Sequence, residues 1–307
     1  MNMEKGEIVL YQLDNSVELE VRVGDETVWL NRQLLRVGKQ LDRSRRQLGP
    51  LAPWETLEGR AELFFFLIFA STMNVFYLKN ATEGLNTMPE EESKHCVKVL
   101  RMTEGETFVV TDGEGHLYDA ELVAALPKHA TVNLTNKRSG YDHWGFKLEI
   151  AIAPTKLNER TEWFLEKATE IGIDRVRLFT SYHSERRAAN VERFQKVMVS
   201  AMKQSIKSRL PKIDDIVPFD RLVKQPFEGQ KFIAWIDDDV KDCLCDLCRK
   251  GENVLVLIGP EGDFSPEEVA LAKENGFVPC SLGDARLRTE TAALVACHTI
   301  QLINQMK

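Results

Sequence analysis

The sequence predicts an α/β protein in which a small β-barrel precedes a domain built on a parallel sheet. From Lys147 onward, apolar runs of strand length alternate with segments of helical length, which is typical of parallel strands joined by crossover helices. Five consecutive apolar residues, Val254–Ile258, stop abruptly at Gly259 and Pro260. A strand without polar alternation is expected to be buried on both faces. Before Lys147, short strands separated by turn signals favour a small barrel.

The composition narrows the functional classes. The chain has 307 residues, of which 43% are hydrophobic and 28% charged, and its formal net charge is −7. This charge argues against indiscriminate nucleic-acid binding, so an RNA partner would need a local basic patch. Six cysteines and no leading signal sequence predict reduced thiols and a cytoplasmic protein. The most apolar run, Leu63–Phe69, is far shorter than the roughly twenty residues of a membrane helix, so we predict no membrane association.

Residues 1–72 are predicted to lie outside the main fold. Val17–Val23 alternates as a half-buried strand and is followed by a second short strand, Thr27–Leu30. Two segments resemble the start of RhuM-like and Fic-associated bacterial proteins, namely Glu7–Gln12 and Asp25–Gln33. After Gln33 no helical or strand period continues. We therefore expect a fused or misread upstream frame, with Met73 as the natural start. The alternative is a genuine accessory arm.

Residues 73–142 are predicted to form the barrel. A helix is expected over Pro89–Leu100, and Asp112–Gly115 predicts the turn of a hairpin. The predicted strands are Asn74–Leu78, Glu106–Val110, Leu117–Val123 and Ala130–Leu134. The glycine-punctuated segment Ser139–Gly145 then marks a domain boundary.

Residues 146–307 are predicted to form the α/β domain. Its predicted strands are Lys147–Ala153, Arg175–Thr180, Lys231–Ile236, Val254–Ile258 and Val278–Leu282, and its predicted helices are Arg160–Ile171, Val191–Ser208, Val240–Lys250, Pro266–Asn275 and Thr291–Ile303. No Gly-x-Gly-x-x-Gly follows the first strand, and no glycine-lysine-serine loop is present. Dehydrogenases and P-loop enzymes are therefore disfavoured. Glycine-bearing loops instead follow the strands that end at Ile258 and Leu282.

Several motifs occur in a fixed order in the α/β domain: Glu166–Ile173, Ser184–Arg187, Leu257–Gly262 and Leu282–Thr291. Together they resemble the RsmE family, the bacterial 16S ribosomal RNA uridine-N3 methyltransferases of the SPOUT superfamily. Three motifs of the predicted barrel extend the resemblance over residues 73–307, namely Lys98–Met102, Asp112–Gly115 and Ala120-Glu121. The resemblance implies a PUA-like barrel followed by a SPOUT domain with a parallel sheet and a C-terminal trefoil knot.

The resemblance also implies an activity. It implies methylation, with S-adenosyl-L-methionine as the donor, of N3 of a uridine in the decoding region of 16S rRNA, uridine 1498. The implied partners are 16S rRNA or the small ribosomal subunit and a second copy of the chain in a homodimer. Two alternatives stay open: another SPOUT enzyme that methylates a ribose 2′-oxygen or a guanine, and a non-catalytic RNA-binding protein of ribosome assembly.

The two glycine-bearing loops are the predicted cofactor site. Glycine lacks a Cβ, so the backbone can turn tightly and lie against a ligand, and backbone groups bind a sulfonium without bringing a repelling cation. The implied cofactor residues are Leu257, Ile258, Gly259, Pro260, Glu261, Gly262, Leu282, Gly283, Leu287, Arg288, Thr289, Glu290, Thr291 and Ala292. An ordinary strand-to-helix turn at Gly259–Gly262 is the simpler alternative. We also expect Ser265 to cap the helix that begins at Pro266.

Glu290 and Arg288 are the predicted catalytic residues. Methylation at N3 requires removal of an imide proton, which a carboxylate can accept, while a guanidinium stabilises the anion. The alternative for this motif is structural: Thr289 and Thr291 would cap the last helix, and Glu290 would favour its positive end.

RNA contacts are predicted where cations cluster. Residues 183–212 contain eight lysines and arginines but only two glutamates, a local charge of +6 that suits a phosphate-binding face. The predicted RNA-binding residues are Lys98, Arg101, Arg186, Arg187, Lys203, Gln204, Lys207 and Arg209. A solvated helix edge is the alternative for Lys98 and Arg101.

The cysteines are predicted to be structural. Cys243, Cys245 and Cys248 are closely spaced, but no fourth ligand lies nearby in the sequence. We therefore predict no metal site, and expect Cys245 and Cys248 to share a buried helix face. Cys96, Cys280 and Cys297 are predicted to be core residues.

Overall fold

The computed structural model describes residues 7–14, 17–24, 27–29, 74–140, 145–235, 240 and 242–306. The chain divides into two compact units, Met1–Met73 and Asn74–Lys307. In the first unit three antiparallel strands pair in sequence order: β1 (Glu7–Asp14), β2 (Val17–Gly24) and β3 (Thr27–Trp29). The strands predicted over Val17–Val23 and Thr27–Leu30 are therefore confirmed. Leu30 itself and the apolar run Leu63–Phe69 lie outside the described residues.

The second unit begins with a small β domain, residues 74–140. Its strands are β4 (Val75–Tyr77), β5 (Gly84–Thr87), β6 (Thr107–Thr111), β7 (His116–Ala124) and β8 (Thr131–Ser139). They form one sheet in the order β4-β6-β7-β8-β5, in which β4 pairs parallel to β6 and the other pairs are antiparallel. The hairpin turn predicted at Asp112–Gly115 joins β6 to β7, and Asp112 Oδ1 accepts the Glu114 N–H at 2.7 Å.

The core of the small β domain is built from alternate residues of its strands. Tyr118 and Leu122 of β7, Leu134 of β8 and Phe76 of β4 are at most 1% exposed. The predicted helix over Pro89–Leu100 is confirmed, as α1 (Glu90–Lys94) followed by a π-helical turn, His95–Val99. Strand β5 was not predicted, because its one large apolar residue, Leu85, is exposed to solvent.

The α/β domain covers residues 145–306. Its strands are β9 (Leu148–Ile152), β10 (Arg175–Thr180), β11 (Lys212–Ile213), β12 (Val217–Pro218), β13 (Gln230–Ala234), β14 (Val254–Ile258) and β15 (Val278–Cys280). Its helices are α2 (Asn158–Ile171), α3 (Val191–Gln204), α4 (Phe219–Val223), α5 (Leu244–Leu247), α6 (Pro266–Glu274) and α7 (Thr289–Gln305). All of its strand pairs are parallel, in the order β11-β10-β9-β14-β13-β15, with β12 also paired to β10. The predicted α/β class with a parallel sheet is confirmed.

The central strands are buried on both faces, as their uninterrupted apolar sequence predicts. All five residues of β9 and all five of β14 are buried. In β14, Val254, Val256 and Ile258 pack into the core formed with α2, α3 and α7, whereas Leu255 and Leu257 pack into the opposite core with α4 and α6. Helices therefore cover both faces of the sheet.

Several predicted helix boundaries are wrong. The helix predicted over Val240–Lys250 is only the single turn α5, because Cys248 already has extended backbone angles, φ −73° and ψ 123°. The helix predicted to reach Ser208 ends at Gln204, and Ile206 has a left-handed φ of 55°. Strands β11 and β12 and helix α4 were not predicted, since they are too short to show a period.

Polar contacts join the small β domain to the α/β domain within the second unit. Lys203 of α3 lies 2.6 Å from Glu92 of α1, and both side chains are largely buried. The Thr111 hydroxyl donates to the Ser208 carbonyl at 3.1 Å, and the Leu210 N–H donates to the Gly113 carbonyl at 2.8 Å. The hairpin β6–β7 is thus fixed against the segment that follows α3.

Among the residues that the structure describes, no helix is both long enough and apolar enough to cross a bilayer.

A buried ion pair inside the sheet predicts a large stability effect. Arg177 of β10 lies 2.6 Å from Glu149 of β9, and each side chain is 8% exposed. Replacing Arg177 by Met leaves Glu149 buried without its cation, so we expect the free energy of unfolding to fall by about 3–5 kcal/mol. Urea denaturation followed by circular dichroism measures this loss.

The control for this prediction is Lys196→Met, because Lys196 pairs with Glu91 at 2.7 Å in a solvent-exposed position. Its free energy of unfolding should stay close to that of the unmodified chain. Equal losses in the two variants would contradict a special role for the buried pair.

Candidate active site

The order of the strands reverses between β9 and β14, where a crevice is expected. Strands β10 and β11 lie on one side of β9, whereas β14, which comes later in the chain, lies on the other side of β9 and next to β13. In open α/β sheets ligands bind at such a reversal, outside the carboxyl ends of the strands. The carboxyl ends here are Ile152 and Ile258, and the Ala153 N–H donates to the Ile258 carbonyl at 3.2 Å.

The loop after β14 is the first of the two predicted cofactor loops. Gly259 and Pro260 are buried, whereas Glu261 and Gly262 are exposed at the crevice. The Asp263 N–H donates to the Pro260 carbonyl at 3.0 Å and closes a tight turn. Helix α6 begins immediately afterwards at the predicted cap, where Ser265 and Glu268 form a capping box.

Two glycines of this loop have close neighbours. A Cβ on Gly262 would lie 2.9 Å from the Cβ of His183, and a Cβ on Gly259 would lie 3.1 Å from the Phe264 ring. A ring nitrogen of His183 is also 3.1 Å from the Asp263 carbonyl. The loop after β10 therefore packs directly on the loop after β14, and glycine is required by the close approach.

Arg186, a predicted RNA-binding residue, holds neighbouring loops together. Its Nη2 donates to the Lys156 carbonyl at 2.7 Å, and its Nε donates to the Thr155 carbonyl at 3.2 Å. The Lys156 N–H in turn donates to Glu261 at 3.0 Å, and the Glu185 carboxylate raises the pKa of the Lys156 ammonium. The loops after β9, β10 and β14 thus form one connected rim.

The second predicted cofactor loop leaves the same edge of the sheet. Strand β13 pairs in parallel with both β14 and β15, so the loops after β14 and β15 leave the same edge of the sheet, with β13 between them. Gly283 has a φ of 110°, a conformation that favours glycine, and its N–H donates to the Ser281 hydroxyl at 3.1 Å. Arg288, at the end of this loop, is exposed to solvent.

Glu290 has an unusual environment in the first turn of α7. It is 6% exposed, and its Oε2 is buried without a hydrogen-bond partner. Its Oε1 lies 3.7 Å from Nε of Arg160, in the first turn of α2. A buried carboxylate oxygen without a donor is costly, which makes Glu290 a candidate binding or catalytic group.

The structure separates the alternatives for the last motif. The N-cap of α7 is Arg288, and no side chain caps the helix, so capping by Thr289 or Thr291 is wrong. Glu290 does lie at the positive end of α7, as that alternative expected. Arg160 was missed because an arginine near a helix start carries no signal of its own, and its partner lies 130 residues away in the sequence.

The predicted RNA-binding residues are distributed over three places. Lys98 and Arg101 are exposed on the small β domain, and Arg186 and Arg187 follow β10 at the carboxyl edge. Lys207 and Arg209 line a cleft of about 440 Å³ with Gly113, Lys147 and Lys212. This cleft lies at the amino ends of β9, β10 and β11, away from the two glycine loops.

Two predicted RNA-binding residues near the end of α3 differ in their contacts. Lys203 is paired with Glu92, so its charge joins the two domains. Gln204 is exposed at the last residue of the helix.

The cysteine prediction is corrected in one respect. Cys245 is exposed while Cys248 is buried and lies beyond the end of α5, so the two do not share a buried helix face. Cys96, Cys280 and Cys297 are buried, as predicted. Burial raises the pKa of the Cys280 and Cys297 thiols to about 12.

Comparison with known proteins decides the family. A family model described as an RNA methyltransferase domain matches residues 143–301, and one described as an RNA methyltransferase PUA domain matches residues 89–135. This chain belongs to the RNA methyltransferase family.

Relatives of this methyltransferase agree with that assignment. The chain is 26% identical over 223 residues to ribosomal RNA small subunit methyltransferase E of Bacillus subtilis, covering 68% of this chain and 87% of the relative. The crystal structure of a probable rRNA-methyltransferase from Porphyromonas gingivalis shares 42% identity with a TM-score of 0.71, covering 76% of this chain and 98% of that one.

A third relative was solved with its cofactor. Ribosomal RNA small subunit methyltransferase E from Neisseria gonorrhoeae, bound to S-adenosyl methionine, shares 27% identity with a TM-score of 0.69, covering 76% of this chain and 98% of that one. The resemblance to the RsmE family is confirmed, and the small β domain of the methyltransferase is PUA-like.

The contact between Gly262 and His183 gives a test of the loop geometry. In the methyltransferase, Gly262→Ala forces a Cβ to 2.9 Å from the Cβ of His183, so we expect the free energy of unfolding to fall by about 1–3 kcal/mol. Removing the opposing Cβ with His183→Gly should relieve the contact, giving a coupling of about 1 kcal/mol in a double-mutant cycle.

Chemical denaturation of the three variants measures this coupling. Asp284→Ala, at an exposed position of the second loop, is the control and should leave stability nearly unchanged. Additive effects of Gly262→Ala and His183→Gly would show that the two loops do not pack as described.

Proposed function

We propose that this methyltransferase transfers the methyl group of S-adenosyl-L-methionine to N3 of a uridine in the decoding region of 16S rRNA, uridine 1498. The observation that carries the proposal is the shared edge of the sheet. Two glycine-bearing loops leave parallel strands at this edge, and the second leads into α7, whose first turn holds the buried carboxylate of Glu290 with one oxygen unpartnered. The relatives named as ribosomal RNA small subunit methyltransferases support the choice of substrate.

The residues at the crevice fit the proposed cofactor. S-adenosyl-L-methionine supplies a methyl group on a positively charged sulfur. The exposed backbone at Glu261 and Gly262 can approach such a molecule closely, and the carboxylate of Glu290 adds attraction for its positive charge. The full set proposed to line the cofactor pocket is Leu257, Ile258, Gly259, Pro260, Glu261, Gly262, Leu282, Gly283, Leu287, Arg288, Thr289, Glu290, Thr291 and Ala292.

Glu290 and Arg288 are proposed to act on the uracil. Glu290 accepts the N3 proton, directly or through one water, as the N3–C bond forms and the sulfur–methyl bond breaks. Arg288, exposed at the N-cap of α7, stabilises negative charge on the neighbouring uracil oxygens. Arg160 is proposed to position the Glu290 carboxylate from the first turn of α2.

The RNA is proposed to bind across both domains of the second unit. Lys98 and Arg101 offer cations from the PUA-like domain, and Lys207 and Arg209 from the cleft that the domain shares with the sheet. Phosphate contacts of this kind add affinity that falls as salt rises. Arg186 and Lys203 are proposed to support this surface through the loop and domain contacts they make.

Three further features complete the proposal. We propose that the C-terminal segment forms a trefoil knot and that the enzyme acts as a homodimer in the cytoplasm. We also propose that residues 1–72 are dispensable and that Met73 is the natural start. The alignments with two solved relatives cover 98% of each relative but only 76% of this chain, which supports the proposal that residues 1–72 are dispensable.

Native mass spectrometry of the protein from its own cell measures the start and the dimer together. A subunit mass that includes residues 1–72 would reject Met73 as the start, and a monomeric mass would reject the homodimer.

The substrate assignment predicts a specific nucleoside. Ribosomal RNA from a strain lacking this gene should lose 3-methyluridine, because no other product results from transfer to uracil N3. Digestion to nucleosides followed by mass spectrometry detects the loss, and restoring the gene should reverse it. Loss of a 2′-O-methylated nucleoside or a methylguanosine would replace the proposed reaction with another, and an unchanged digest would leave an RNA-binding protein.

If Glu290 accepts the N3 proton, replacing it should lower the methylation rate far more than it lowers the affinity for the cofactor. Glu290→Gln keeps the side chain volume but cannot accept a proton, so we expect the methylation rate to fall by about 100-fold or more. Calorimetry should show that cofactor affinity changes far less than the rate does. The matched control is Glu267→Gln, an exposed glutamate in the first turn of α6. Full turnover by Glu290→Gln would assign proton removal to another group.

A further inference from the structure

Three side chains beside the second glycine loop lie close to one another. They have no role in the proposed reaction. The Sγ atoms of Cys243 and Cys245 and a carboxylate oxygen of Asp246 all lie within 4.8 Å of one another. Cys243 is half-buried, and Cys245 and Asp246 are exposed. The sequence pattern suggested three thiols, whereas the fold selects two thiols and one carboxylate.

The backbone fixes this cluster in place. The Leu244 N–H donates to the Ser281 carbonyl at 2.9 Å, and the Ser281 N–H donates to the Asp242 carbonyl at 2.9 Å. The side chain of Leu244 is fully buried, and the Asp246 N–H donates to the Cys243 carbonyl at 3.0 Å. The three ligand atoms are therefore carried by a turn that is anchored at both the sheet edge and the core.

The other thiols of this region cannot join the cluster without disrupting the core. Cys248 is 8% exposed and Cys280 is fully buried, and both belong to the apolar core between the sheet and α7. Half-buried Cys243 and exposed Cys245 and Asp246 thus form a group separate from these two core thiols.

The chemistry of these ligands selects a class of ion. Two thiolates and one carboxylate suit Zn²⁺ and other thiophilic divalent ions, whereas Mg²⁺ and Ca²⁺ prefer oxygen ligands alone. Zinc sites with three protein ligands commonly keep a fourth position for water, so the missing fourth side chain does not exclude a site.

We propose that Cys243, Cys245 and Asp246 form a binding site for a thiophilic divalent cation, with Zn²⁺ as the best fit. The bound ion would cross-link the turn that is hydrogen-bonded to Ser281, one residue before Leu282 and Gly283 of the second loop. This inference goes beyond the methyl transfer and does not depend on it.

The test is a cadmium titration of the full chain, stripped of metal and kept reduced. We expect the ultraviolet charge-transfer band of cadmium thiolate to saturate at one ion per chain, and Zn²⁺ to displace it. Cys243→Ser and Cys245→Ser should each weaken binding by at least about tenfold, and Asp246→Asn by a smaller factor. The matched control is Cys248→Ala, which removes the next cysteine in the chain and should keep the band.

Thermal unfolding provides a second test, because the effect of Zn²⁺ on the melting temperature can be measured on the unmodified chain as well as on the variants. Zn²⁺ should raise the melting temperature of the unmodified chain and of Cys248→Ala, but not that of the double variant Cys243→Ser/Cys245→Ser. A band that survives in the double variant would overturn the proposal. Methyl transfer is not measured in either assay, so the outcome is independent of the proposed function.

Discussion

The candidate active site depends on parallel pairing among four short strands. Strand β14 pairs with β9 on one side and β13 on the other, and β13 also pairs with β15, all in parallel. Because parallel neighbours end at the same edge, the loops after β9, β14 and β15 and the starts of α2 and α7 are brought together there. No loop needs to be long to reach the others. The complete burial of β9 and β14 makes this arrangement stable, because a shifted register would expose large apolar side chains.

Two buried carboxylates in the α/β domain differ in how well their surroundings compensate them. Glu149 lies 2.6 Å from Arg177 at the centre of the sheet, and that guanidinium is further bound by Gln225. Glu290 lies 3.7 Å from Arg160, and one of its oxygens has no donor. The positive end of α7 offsets only part of the cost of burying this charge. Glu149 is thus better compensated than Glu290, and this difference is one reason for proposing Glu290 as the proton acceptor.

Local patterns predicted the local features of this fold well. The apolar run Val254–Ile258 gave the bounds of β14 without error, and Ser265-Pro266 gave the start of α6, because both depend on neighbouring residues alone. The helix predicted over Val240–Lys250 is wrong beyond one turn. Burial of Leu244 and its hydrogen bond to Ser281 determine the local backbone more strongly than the helical spacing of the cysteines. Arg160 could not be found from the sequence, since its contact with Glu290 exists only after α2 and α7 start at one edge.

The basic segment after β10 is less positively charged in its folded surroundings than its sequence alone predicts. Of its cations, Arg193 pairs with Glu162, Lys196 with Glu91 and Lys203 with Glu92, so acids from other elements neutralise much of the predicted field. Two of these pairs attach α1 of the PUA-like domain to α3. The cations of the cleft lie at the amino edge, and the glycine loops lie at the carboxyl edge of strands about 16 Å long at roughly 3.3 Å per residue. An RNA that contacted both regions would therefore have to span the distance between the two edges of the domain rather than lie over one pocket.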